Sequence, residues 1–299
     1  MLPPSIPGVL YYLYSGSAVL IALGYMLFDV FNNREVPNLF AYLTLAFSFV
    51  VVLATANWNL ALESYLVAVA ILSLGYFVYK IGQLGLGDVF ELAALSLLLA
   101  PISAPLLYPH GLAGLPPVVS LFLDTGIAAI VAVPLFYMAL AARKMGARVF
   151  SEVNGRNVAK AAVIVISYLV FAALLAQIAH GKIGLFLVLL VIVLGSAMLL
   201  VFERPITEVM VDRVSVSGFV EEDMIAFNLM SSKEIASSKK RIRSFDRLVT
   251  KAMISEMKRK GITTKYPVYK RAIPFAVPIF LGTVLTILLG NILLALLIG

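Results

Sequence analysis

The chain has 299 residues, of which 62% are hydrophobic and 13% charged, with a mean hydropathy of +1.01. A soluble domain is about half apolar and about a quarter charged, so this balance excludes a purely water-soluble protein and calls for a bilayer as solvent. The net charge of +7 must be read by location before it is read as a partner, and the absence of cysteine excludes disulfides, a thiol nucleophile and a thiolate zinc site.

A helical span needs about 20 mostly apolar residues. Eight segments meet or approach that length: 9–28, 39–56, 62–79, 89–107, 120–142, 161–179, 183–202 and 273–298. The residues before the first segment, from Met1 to Gly8, include no lysine or arginine, so it reads as a permanent span and not a cleaved signal. With eight spans, 22 of the 23 lysines and arginines fall on one side and Lys182 alone on the other, which puts the basic side in the cytoplasm.

Between Glu203 and Pro274 lies the one long polar region. Val214–Val220 alternates like a strand around a glycine. From Ser237 to Lys260, Ile242, Phe245, Leu248, Val249, Met253 and Met257 recur at helical spacing among lysines and arginines. That pattern predicts an amphipathic basic helix, packed on its own domain or lying on anionic headgroups. The predicted fold is an all-α polytopic membrane protein, a bundle of about eight transmembrane helices with a small mixed α/β cytoplasmic domain.

Acidic residues in apolar spans are the candidates for chemistry, because each costs about 2.5–3.5 kcal/mol at a span centre. Asp29 ends the first segment and Asp88 opens the fourth at the same predicted membrane edge, while Glu63 and Asp124 fall toward the outer face and read as interfacial charges. Asp88 stands in Gly85-Leu86-Gly87-Asp88, where Gly85 and Gly87 permit unusual backbone angles and close approach of a neighbouring chain. Two aspartates from distant positions at one depth are what an aspartyl dyad requires. Such a pair shares one proton: the charged member activates water, and the protonated member polarises the scissile carbonyl. Neither step needs a metal or a cofactor, and His110 and His180 offer little to a metal site.

The run Asp29-Val-Phe-Asn-Asn-Arg-Glu-Val-Pro-Asn38 followed later by Gly85-Leu-Gly-Asp88 resembles the type IV prepilin peptidase family, especially its archaeal preflagellin and prepilin peptidase branch of Gly-x-Gly-Asp membrane aspartyl proteases. The resemblance is strongest from Asp29 to Glu91. It implies cleavage of pilin or archaellin precursors at the cytoplasmic membrane edge, with Asp29 and Asp88 catalytic and Gly85 and Gly87 supporting the motif. Glu91 and Glu35 become candidate contacts for the basic residues of the precursor, Glu91 having the alternative of pairing with Lys80 or Arg34. The corresponding organisation is a catalytic four-span core over 1–108, additional spans over 109–202, a cytoplasmic domain over 203–272 and a final span over 273–299.

Phe90 stands where many relatives carry a lysine, so no role for that lysine transfers. The cysteine-bearing loop and methyltransferase activity of bacterial members have no counterpart in the sequence. Two other classes compete. A presenilin-like or signal-peptide-peptidase-like intramembrane protease also carries Gly-x-Gly-Asp, but with its aspartates in adjacent spans and a Pro-Ala-Leu that this sequence lacks. An ion-coupled transporter would use the same acids to bind protons or cations. Membrane lipid is an expected partner and nucleic acid is not, since topology and anionic lipid account for the basic residues.

Overall fold

The computed structural model describes residues 8–32, 36–81, 84–102, 106, 116–178, 183–221, 223–269 and 275–292. The chain forms α1 (Gly8–Phe31), α2 (Asn38–Leu53), α3 (Trp58–Lys80), α4 (Leu86–Leu99) and α5 (Pro117–Met145). Then come α6 (Arg148–Ser151), α7 (Gly155–Ile178), α8 (Ile183–Val201) and α9 (Glu203–Met210). A strand β1 (Val211–Val214), helices α10 (Ser232–Arg241) and α11 (Lys251–Arg259), strand β2 (Tyr266–Tyr269) and helix α12 (Ala276–Leu289) complete the order.

Four of these helices, α1, α3, α5 and α7, are long and apolar enough to cross a membrane, and the bent pair α8–α9 makes a fifth if it is counted as one span. The chain is therefore a helical membrane protein, but the expected eight spans are not found among the described residues. Helix α2 has 16 residues and α4 and α12 have 14 each. At 1.5 Å per residue they reach about 21–24 Å, short of a hydrocarbon core of about 30 Å. Composition counted residues that geometry does not use. The segment expected to run to Leu107 leaves the helix after Leu99: Ala100 keeps helical angles, φ −53° and ψ −39°, but Pro101 has no N–H with which to continue the ladder. The last segment is interrupted at Gly290, whose φ of 73° ends α12.

The chain divides into two compact units, one made of 1–135, 159–198 and 274–299, the other of 136–158 and 199–273. In the first, α4 touches α1, α2, α3 and α12. Every α4 residue from Glu91 to Leu99 is buried, as expected of a helix that is apolar all round. Helix α1 meets it with a stripe of Tyr14, Ala18, Ile21, Ala22 and Tyr25, and α12 with Ala276, Ile279 and Ile287. Small residues let the helices close up: a Cβ on Gly75 would lie 2.5 Å from Val89 Cγ1, and one on Gly24 2.7 Å from the Phe40 ring. Buried hydroxyls find carbonyls, as when Tyr14 donates to Val51 O at 2.8 Å and Tyr65 to Phe49 O at 2.8 Å.

The second unit is mixed. Strand β1 pairs antiparallel with β2, Val211 opposite Tyr269 and Val214 opposite Tyr266. Met224 and Ile225 form bridges to Leu248 and Val268. The expected strand over Val214–Val220 lies instead at Val211–Val214, followed by a 3-10 turn at Val216–Gly218 that buries Val216 and Phe219. The single basic helix expected over Ser237–Lys260 is two helices, α10 and α11, joined by a loop that turns at Arg243–Ser244. Ile242, Phe245, Val249, Met253 and Met257 are nonetheless all buried, packed with Tyr266 and Val268. Their spacing was satisfied by one core reached from a helix and a loop.

Candidate active site

Asp29 continues the buried stripe of α1, one turn beyond Tyr25 and four residues along the same face. It is 9% exposed, and its Oδ2 accepts the backbone N–H of Ala276, the first residue of α12, at 3.2 Å. Negative charge at a helix start is favourable, because the first N–H groups have no partner within the helix. Asp88 lies in the first turn of α4 and accepts the Gly85 N–H at 3.2 Å through its own Oδ2. Asp29 lies within electrostatic range of Asp88, and Glu91 lies within electrostatic range of both.

Gly85 and Gly87 serve this arrangement by being small, not by adopting unusual angles. Gly85 is the N-cap of α4 with an extended backbone, φ −71° and ψ 146°. A Cβ on Gly87 would lie 3.3 Å from Val36 Cγ2, so the absent side chain lets the segment between α1 and α2 come close to the start of α4. Neither is among the glycines with positive φ, which are Gly146, Gly261 and Gly290 among the described residues.

Glu91 is fully buried, and neither carboxyl oxygen has a hydrogen-bond partner. The expected pairing with Lys80 is not made. The Lys80 ammonium lies over the Tyr76 and Tyr79 rings, 5.3 and 5.9 Å from their centroids. Arg34 and Glu35 lie outside the described residues, as do His110 and His180. Phe90, in place of the lysine of many relatives, packs edge-on against Tyr42 with centroids 5.4 Å apart. Pro37 is the N-cap of α2 and Asn38 its first residue, with no side-chain cap, so Asn38 does not play the capping part its identity suggests.

Three features escape the sequence. Tyr25 is buried, its hydroxyl 3.0 Å from Thr44 Oγ1 and within electrostatic range of Asp88 and Glu91. The Thr44 hydroxyl also reaches the carbonyls of Phe40 and Ala41 in α2, at 2.9 and 3.0 Å. The position of Tyr25 four residues before Asp29 was the available signal. The Ala276 N–H had none, because it comes from the other end of the chain. Asp124, expected as an interfacial charge, is instead fully buried: it accepts from Thr286 Oγ1 at 2.9 Å and from the Ile292 N–H at 3.1 Å, spanning the break in α12.

No protein-family model, curated protein or solved structure matches the chain.

Proposed function

We propose that this protein is a membrane aspartyl endopeptidase that uses Asp29 and Asp88 to remove the leader from pilin-like or archaellin precursors. The observation that supports the reading best is that Asp29, at the end of α1, and Asp88, at the start of α4, lie within electrostatic range of each other among helices that are otherwise apolar. Asp29 accepts the Ala276 N–H and Asp88 the Gly85 N–H, so backbone donors orient both carboxyls. In the proposed reaction one aspartate takes a proton from water as it attacks the peptide carbonyl, and the other, protonated, donates to the oxygen and then to the leaving nitrogen. The pair acts as a unit, so the roles are not divided between its members.

The connections near the acids carry Arg34 and Lys80, whereas 54–57 and 100–116 carry no lysine or arginine. By the positive-inside rule the acids then face the cytoplasm, in the cell membrane. A precursor whose apolar helix lies in the bilayer would present its cleavage site at that edge. Membrane lipid and the precursors are the proposed partners, and no cofactor enters the reaction.

The test is incubation of proteoliposomes with a synthetic leader peptide, read by mass spectrometry. Two fragments whose masses sum to the peptide plus one water are expected, and none with Asp88→Asn. Recovery of the peptide intact from wild type would contradict the reading.

One observation favours an ion-coupled transporter instead. Asp124 is buried against the C-terminal end of the apolar helix α12, and acids facing helix ends are a recurring form of ion site. Ion flux into the same vesicles, lost with Asp124→Asn and accompanied by no peptide cleavage, would select that reading.

A further inference from the structure

Glu91 is the buried group that the proposed chemistry does not use. A carboxyl with no exposure and no hydrogen-bond partner is costly to keep, and an ionisable residue at membrane depth marks a functional site by default. Its nearest cation by sequence, Lys80, is committed to two tyrosine rings. Among the described residues no group of His, Cys, Asp or Glu side chains is arranged to hold a metal ion, so Glu91 is poorly placed as a ligand for a divalent cation.

Position narrows the choice further. Glu91 follows Asp88 by one helical turn, on the same face and on the bundle side of the motif. Basic residues that precede a cleavage site would lie on the opposite, aqueous side of the acid pair. What lies on the bundle side is the apolar half of the cleaved chain. Hydrolysis adds water across the C–N bond: the hydroxyl goes to the carbonyl carbon, one proton to the nitrogen, and the new carboxylic acid gives up its proton to that amine. The products are a carboxylate on the leader and a primary ammonium on the apolar half.

We propose that Glu91 is the binding partner of that ammonium, the new amino terminus of the released chain. This rests on the peptidase reading for the identity of the ligand, and it assigns Glu91 to the product and not to the leader's basic residues. A charge-assisted hydrogen bond in an apolar site is strong and specific for a donor-bearing cation, which explains a carboxyl kept without a protein partner.

The test uses the full-length protein in nanodiscs and a fluorescent peptide with the sequence of an apolar product helix, made with a free or an acetylated amino terminus. Wild type should bind the free form about tenfold or more tighter than the acetylated form. Glu91→Gln should erase that preference and leave the acetylated peptide bound as before, whereas Asp88→Asn should retain it. Equal binding of the two forms by wild type overturns the proposal, as does a preference that survives Glu91→Gln or is lost equally in Asp88→Asn. The wild-type comparison decides alone if Glu91→Gln does not insert. Cleavage of an uncut leader is scored in the same preparation. Cleavage without an amine preference removes the Glu91 proposal and leaves the peptidase, whereas an amine preference without cleavage removes the peptidase.

Discussion

A carboxyl group inside an apolar bundle costs roughly 2.5–3.5 kcal/mol on insertion scales, and Asp29 and Asp88 offset part of that with N–H donors from two helix starts. Outside the membrane helices, Glu256 shows the same chemistry with a readable pH dependence. Its carboxyl accepts from Lys260 Nζ at 2.6 Å, from the Arg243 N–H at 3.0 Å and from Ser244 Oγ at 2.7 Å. The Lys260 ammonium first, then the Arg243 and Ser244 donors, hold it down to about 2. A carboxyl depressed below its unfolded value of about 4.3 stabilises the fold above that pH and loses its effect as pH falls toward the folded value. Thermal melts of wild type should therefore drop between about pH 5 and pH 2, and Glu256→Gln should flatten that drop. Equal slopes would contradict the assignment. At this scale the sequence singled out Asp29 and Asp88 by their place at helix ends, and the fold sets them within electrostatic range of each other. For Glu91 the sequence offered a pairing with Lys80 that is not made, because the Lys80 ammonium lies over two tyrosine rings, and it was misleading on Asp124, whose partners are Thr286 of α12 and Ile292 just beyond it.

Periodicity located apolar residues better than it located helix ends. Five of the six residues spaced for one basic helix are buried and Leu248 is partly so, but the chain bends at Ile242 because that residue, extended at φ −122° and ψ 109°, ends α10. Met253 and Met257 face the same core with no exposure. Met253→Ala should cost about 2–5 kcal/mol and speed hydrogen exchange across β1, β2 and α11, whereas unchanged exchange there would contradict this packing. Strand β2 was not legible, since Pro267 interrupts a short run whose pairing with Arg213 only the tertiary structure supplies. Helix α12 meets α5 where Gly282 faces Thr125: a Cβ would lie 2.6 Å from the Thr125 backbone nitrogen, which cannot move aside as a side chain can. Gly282→Ala should thus destabilise the membrane unit by about 1–3 kcal/mol, measured as a lower melting temperature in detergent, and a melting temperature at or above that of wild type would show the contact to be loose.

For the molecule as a whole, hydropathy established that a bilayer is the solvent and overstated how many helices are long enough to cross it. Helices α2, α4 and α12 are apolar but short, and α4 is surrounded by its neighbours. A helix enclosed by other helices has the composition of a span whether or not its own length matches the bilayer, so windowed composition alone could not separate the two. The packing of α12 on α1 and α4, which joins the chain's last described helix to its first, leaves no local trace in the sequence. That packing sets a backbone N–H on Asp29, and the proposed activity depends on Asp29 and Asp88 working as one device. The most direct measurement is the leader-cleavage rate of wild type, Asp29→Asn, Asp88→Asn and the double variant, each inserted in liposomes. Residues that act as a unit are non-additive, so each single variant should fall by at least about 10²-fold and the double variant no further. A single variant that cleaves near the wild-type rate, or losses that multiply in the double variant, would contradict the account.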